Sequence, residues 1–170
     1  MVAKLQLGIG VDIKLAQQEA YTSGYDRIET PHFIIALTYY REGRAAWAFE
    51  QQAVAADDLR EAMRELMPAA GSLFKGPETL SRNVFSTRMQ ELLAIAEAEA
   101  LSDGSSAIDE IHLISGLAHL QGSLTAEMLR LLGVDFERLV EDARTKSADA
   151  RTKSADARTK SADARTVPAP

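Results

Sequence analysis

At 170 residues the chain is long enough to bury the core of one domain, and its composition, 46% hydrophobic with only 6% aromatic residues, favours helices. The net charge of −6 argues against a nucleic-acid-binding protein, and the lack of cysteine excludes disulfides, zinc–thiolate sites and thiol nucleophiles. We find no signal peptide and no apolar run of membrane-spanning length, so we expect a cytoplasmic protein without membrane contacts.

Apolar residues at helical spacing predict four helices in the first part of the chain. The second of these has the clearest beginning, because Thr30 is a good N-cap and Pro31 suits the first helical position. Asp57 and Asp58 suit the N-terminus of the fourth helix. The four predicted helices cover about residues 11–22, 30–43, 44–52 and 57–67.

Residues 68–82 are rich in Pro and Gly and are predicted to form a linker. Four more helices follow it, separated by Gly-containing turns, at about residues 86–102, 109–120, 123–132 and from 135 onward. Connections this short predict that neighbouring helices pack antiparallel.

The two sets of helices align without a gap when the chain is shifted by 80 residues. Matches fall at apolar, Gly and His positions, such as Ala16 on Ala96, Gly24 on Gly104, His32 on His112, Leu37 on Leu117 and Leu59 on Leu139. We therefore predict an all-α domain, residues 1–144, made of two four-helix repeats in a pseudo-twofold arrangement. Repeat one is residues 5–67, the linker is 68–82 and repeat two is 83–144. A duplicated core with varied polar positions favours a binding module over an enzyme.

Residues 145–170 are a different kind of sequence, in which ARTKSAD recurs every seven residues from Ala143. A coiled coil is excluded because Ala alone cannot fill the seam. The segment is either an Ala-rich extension of the last helix or a low-complexity tail. We favour the tail, helical in part where it leaves the core.

Residues 15–37, LAQQEAYTSGYDRIETPHFIIAL, resemble the start of the N-terminal domain of Clp-type AAA+ unfoldases. The resemblance continues through REGRAAWAFEQQAVAADDLREAM and through both corresponding stretches of repeat two, so it covers about residues 5–144 in order and spacing. It implies an eight-helix, pseudo-twofold domain that does no chemistry, needs no cofactor and docks adaptor or substrate proteins for an unfoldase.

The resemblance also implies a phosphoarginine site in the ClpC-like branch, where a Glu precedes the motif His. Pro31 and Ile111 stand at those positions here. Neither can pair with a guanidinium, so we expect phosphoarginine recognition to be absent.

No nucleotide-binding P-loop is present, since Gly71 and Gly76 are followed by Pro77 and Glu78 where Lys and Ser or Thr are needed. The chain is therefore expected to be a free-standing relative of the Clp N-domain, favoured by its tail, or the N-terminal fragment of a full Clp ATPase. A decoy that sequesters a small ligand or peptide is a further alternative.

His32 and His112 are equivalent residues near helix starts. They could form a metal or acid–base pair, or each could bond helix-end groups in its own repeat. Their repetition favours the structural role, and we predict no metal site. Glu91, Glu97 and Glu99 point in different directions on one helix, so we assign them to solvent.

Tyr39, Tyr40 and Trp47 are the best candidates for a protein-binding surface. They cluster around the turn between the second and third helices, and repeat two has His119, Leu120 and Glu127 in their places. Aromatic residues found in one repeat are not required by the shared core and can serve recognition. Tyr40 could equally fill the core beside Phe33 and Leu37, whereas Trp47 is expected to be exposed.

Overall fold

A computed structural model describes residues 7–40, 42–67 and 84–146. These residues form eight helices, which confirms the all-α prediction. The predicted linker and the chain beyond residue 146 lie outside the described ranges. The helices are α1 Leu7–Thr22, α2 Thr30–Leu37, α3 Arg44–Gln51, α4 Ala56–Glu65, α5 Thr87–Ser102, α6 Glu110–His119, α7 Leu124–Leu131 and α8 136–146.

Helix α2 ends at Leu37, well before the predicted end near residue 43, so the predicted C-terminus was wrong. The Thr38 hydroxyl donates to the Ile35 carbonyl at 2.7 Å, and the Arg60 guanidinium donates to the Thr38 carbonyl at 3.1 Å. The Thr38 carbonyl would otherwise accept a hydrogen bond from the next helical turn. Tertiary contact with Arg60 thus ends the helix before Tyr39.

The N-cap of α2 is Glu29, not Thr30 as predicted. Thr30 is the first helical residue and Pro31 the second. The Thr30 hydroxyl, which an N-cap would use within its own helix, instead lies 2.7 Å from the Thr125 hydroxyl at the start of α7. Thr30 therefore joins the two repeats.

Equivalent residues pack alike in both repeats. Helix α2 lies against α1 as α6 lies against α5. Gly24 and Gly104 end α1 and α5 at φ 78° and 77°, which favours glycine. In each case the next N–H bonds a carbonyl five residues earlier at 2.8 Å. Leu59 and Leu139, 80 residues apart, are both fully buried in the shared core.

One pair of hydrogen bonds between the repeats follows the twofold relation. At the 80-residue shift, Thr30 is equivalent to Glu110 and Thr125 is equivalent to Ala45. The Thr30–Thr125 bond therefore corresponds to a second bond, in which the Ala45 N–H donates to the Glu110 carboxylate at 2.8 Å. Exchange of partners in this way is what a twofold relation requires. None of the described helices is long and apolar enough to cross a membrane.

Candidate protein-binding surface

Tyr39 and Tyr40 lie directly after α2 and project from the surface, with exposed fractions of 45% and 49%. The possibility that Tyr40 fills the core is therefore wrong. The early end of α2 explains this, because Tyr40 no longer shares a helical face with Phe33 and Leu37.

Tyr39 is held by residues from two helices. Its hydroxyl donates to the Glu19 carboxylate of α1 at 3.2 Å, and Arg64 of α4 binds the same carboxylate at 2.9 Å. This bond raises the pKa of the Arg64 guanidinium. The Arg60 guanidinium stacks over the Tyr39 ring, 4.9 Å from its centroid. The ring is thus held by contacts from α1 and α4 while Tyr39 stays partly exposed.

A groove of about 640 Å³ runs along the outer side of α4 beside Tyr39. Both of its arginines are already engaged, Arg60 with Asp57 at 2.6 Å and Arg64 with Glu19. Glu61 and Glu65 make no ion pair among the residues that the structure describes. The groove therefore offers an aromatic ring and free carboxylates. The lining residues are Tyr39, Asp57, Arg60, Glu61, Arg64 and Glu65.

Trp47 is placed differently from the tyrosines. It is half-buried on α3 against the core, rather than exposed as expected, and the Lys146 ammonium of α8 lies 5.4 Å from its ring centroid. Tyr39 thus contacts α1 and α4, whereas Trp47 contacts α8. A role of all three aromatic residues in one binding surface stays a prediction.

His32 and His112 occupy the same position at the starts of α2 and α6. In each, Nδ1 accepts the N–H of the N-cap residue, Glu29 or Asp109, at 2.9 Å. This geometry supports the structural helix-start role. In the 7–40, 42–67 and 84–146 ranges, no three His, Asp or Glu side chains come together to hold a metal ion.

The two histidines differ at Nε2. In His112 this nitrogen lies 2.8 Å from the Asp103 carboxylate, whereas in His32 it is buried with no hydrogen-bond partner among the described residues. Burial lowers the pKa of His32 to about 4. His32 is therefore neutral at physiological pH.

The residues that hold Tyr39 were not singled out in the sequence. The signal was present, since Glu19 aligns with Glu99 and Arg64 aligns with Arg144 at the 80-residue shift. Only the fold brings Glu19 and Arg64 together across 45 residues.

Comparison with known proteins agrees with this architecture. The family model of the Clp repeat (R) N-terminal domain matches residues 84–166. The "Negative regulator of genetic competence ClpC/MecB" of Bacillus subtilis (strain 168) is 25% identical over 126 residues, which are 74% of this chain and 15% of the relative. The chain therefore spans about one seventh of the length of that relative.

Solved Clp N-domains share the fold. The N-domain of ClpV from Vibrio cholerae matches with a TM-score of 0.71 at 16% identity, covering 87% of both chains. A complex of a ClpV N-domain with a VipB peptide matches with a TM-score of 0.64 at 14% identity, covering 83% of this chain and 89% of that one. The resemblance to the Clp-type N-terminal domain is thus confirmed.

Proposed function

We propose that this domain is a non-catalytic, cytoplasmic protein-binding module that docks an adaptor or substrate protein for a Clp-type AAA+ unfoldase. The observation that carries the proposal is the groove beside α4, where an exposed Tyr39 is fixed by Arg60 and Glu19. Aromatic anchors of this kind dominate protein interfaces. Support also comes from the ClpV N-domain, whose solved complex contains a VipB peptide.

The charge of the groove indicates the kind of partner segment. Because its arginines are paired internally, the free groups are Glu61 and Glu65. A segment with an aromatic or apolar residue next to Lys or Arg would complement them. Binding should then weaken as salt is added, since these carboxylates are at the surface.

Co-purification from the native cell tests the proposal. The tagged chain should bring down a Clp unfoldase or its adaptor, and Tyr39→Ala with Arg60→Ala should lose it. Tyr21→Ala is the control, since Tyr21 on α1 is 51% exposed and does not line the groove. Recovery of neither partner class, or equal loss in the control, would contradict the proposal. Recovery of an unrelated small ligand or peptide would favour a decoy.

A second candidate is that the chain forms the N-terminal part of a longer unfoldase. It is favoured by the 15% coverage of the ClpC relative. The downstream reading frame decides between the two, because an AAA+ module there would place the same docking surface on a full ATPase.

A further inference from the structure

The outer face of α7 carries an apolar stripe that the fold leaves uncovered. Leu124 and Leu131 are 66% and 82% exposed, and Met128 lies half-buried between them. Their spacing of four and three residues places them on one face of the helix, over a length of about 10 Å at 1.5 Å per residue.

The stripe continues into a groove of about 360 Å³ at the N-terminal end of α7. Leu124 forms one wall, and the other apolar lining comes from the turn after α1, the start of α2 and the residues after α4, namely Tyr25, Pro31, Leu66 and Met67. The combined surface is long and narrow, with a recess at one end. That shape suits a helix that inserts one apolar side chain into the recess.

Repeat one shows that the stripe is not needed for folding. Its equivalent residues on α3 are Arg44, Ala48 and Gln51. Arg44 pairs with Asp109 at 3.0 Å and Ala48 is fully buried, so the same face is polar and closed there. The exposed leucines are therefore a feature of repeat two alone.

Charges around the stripe define its partner. The Glu127 carboxylate makes no ion pair within the described part of the chain, whereas the Glu29 carboxylate accepts the His32 N–H at the start of α2. Of the neighbouring cations, Arg88 is neutralised by Glu91 at 2.8 Å, and Arg130 is held against the Phe136 ring, 5.1 Å from its centroid. The Glu127 carboxylate beside the leucines complements a segment that carries Lys or Arg.

We propose that the outer face of α7 and the groove at its N-terminal end bind a short, basic amphipathic helix of another protein. A second copy of this chain fits less well, because three side chains over about 10 Å fall far short of the roughly 800 Å² per partner of a stable dimer. This surface shares no lining residue with the Tyr39 groove, so the two binding proposals can be tested independently of each other.

The test uses the full chain and a fluorescent 14-residue peptide of leucine and lysine, with leucines at positions i, i+3, i+4 and i+7. Two matched peptides replace lysine by glutamate or interrupt the helix with proline. Anisotropy titration should give saturable binding of the basic helix alone. Amide shifts in the NMR spectrum should change along Leu124–Leu131.

Leu124→Ser with Leu131→Ser should weaken binding at least about tenfold, the effect of losing an interface anchor. Both side chains are exposed, so the circular dichroism and melting temperature should not change. Leu101→Ser is the matched control, because Leu101 is 69% exposed on another helix. Glu127→Lys should also weaken binding, and Tyr39→Ala should leave it unchanged.

Equal binding of the acidic peptide, equal loss in Leu101→Ser, or no saturable binding would overturn the proposal. A dimer in sedimentation that Leu131→Ser abolishes would assign the stripe to a second copy and overturn it as well.

Discussion

In repeat one, the Tyr39 hydroxyl, Arg64 and Glu19 form a bonded group on the surface, with Glu19 at its centre. Eighty residues later, His119 stands 3.6 Å from Glu99, and Arg144 makes no ion pair in the portion that the structure describes. The equivalent positions thus keep a side chain near the carboxylate but lose its ion pair with arginine among the described residues. Divergence of this kind means that the two repeats present different surfaces to solvent.

Helices α3 and α7 also differ at their surfaces, but here the exposed apolar face belongs to repeat two. Arg44 closes its face of repeat one through Asp109, whereas Leu124 leaves the matching face of repeat two open and apolar. Buried positions, in contrast, keep their size and polarity, as Leu59 and Leu139 show. The duplication therefore retains the core, where packing constrains each residue, and allows the surface to vary.

The largest effect is expected from breaking the shared core. Leu59→Ala and Leu139→Ala should each lower the free energy of unfolding by about 2–5 kcal/mol, because each removes a fully buried side chain and leaves a cavity. Denaturant unfolding measures both. Leu131→Ala, at an exposed leucine, should change the free energy of unfolding by less than about 0.5 kcal/mol. A large difference between the two core variants would show that the repeats are not equivalent in stability.

His32 should make stability depend on pH. Its pKa is lowered by burial to about 4, so between that value and the unfolded value of 6.5 the unfolded chain binds a proton that the folded chain does not. The His32 contribution is therefore present above pH 6.5 and is lost as the pH falls to about 4. The loss is on the order of 3 kcal/mol at 1.36 kcal/mol per pKa unit. His32→Gln should remove this slope in denaturation measured from pH 4 to 8.

Asp12 opposes this trend and needs its own control. Burial, aided by Glu110, raises its pKa to about 7. The folded chain then binds a proton that the unfolded chain loses above pH 3.8, so the Asp12 contribution is lost as the pH rises towards 7. The His32 slope should consequently be steeper in an Asp12→Asn background. An unchanged slope on removing His32 in that background would contradict the assignment.

Helix number and order followed from the sequence because apolar periodicity and capping residues are local signals. Ser86 and Ser123, predicted to start helices, accept the N–H groups of Met89 and Ala126. Errors arose where distant residues intervene. Arg60 binds the Thr38 carbonyl and ends α2 early. The Thr30 hydroxyl, which was expected to cap α2, bonds the Thr125 hydroxyl instead.

The candidate site was only partly predictable for the same reason. Tyr39 was singled out because repeat two lacks an aromatic residue there. Its partners Glu19 and Arg64 lie on separate helices, and no local sequence signal brings them together. The exposed stripe of α7 escaped notice because leucines at helical spacing usually face a core.

A smaller effect is expected at the turn after α3. Ala53 has φ 57°, a conformation that costs an L-residue about 1–2 kcal/mol, and its equivalent Gly133 has φ 85°. Ala53→Gly should raise stability by about 0.5 kcal/mol, since the relief is offset by the entropy of glycine in the unfolded chain. Gly133→Ala should lower it by about 1 kcal/mol, as no atom lies within 4 Å of the added Cβ and only backbone strain acts. Thermal unfolding compares the two, and stabilisation by Gly133→Ala would contradict this account.

No effect at all is expected from phosphoarginine. Recognition of this ligand requires a carboxylate for the guanidinium, and the equivalent positions hold Pro31 and the buried Ile111. The nearest carboxylate in repeat two, Glu110, already accepts the Ala45 N–H. An unpaired guanidinium in a partly dry site is costly, so calorimetry with free phosphoarginine should give no saturable heat. Pro31→Glu, at a groove-lining position, should introduce weak binding, and adding Ile111→Glu should strengthen it if the core tolerates the charge. Tight binding by the unaltered protein would mean that Glu29 or Glu110 serves instead, and that the two repeats have kept a ligand site their sequences no longer display.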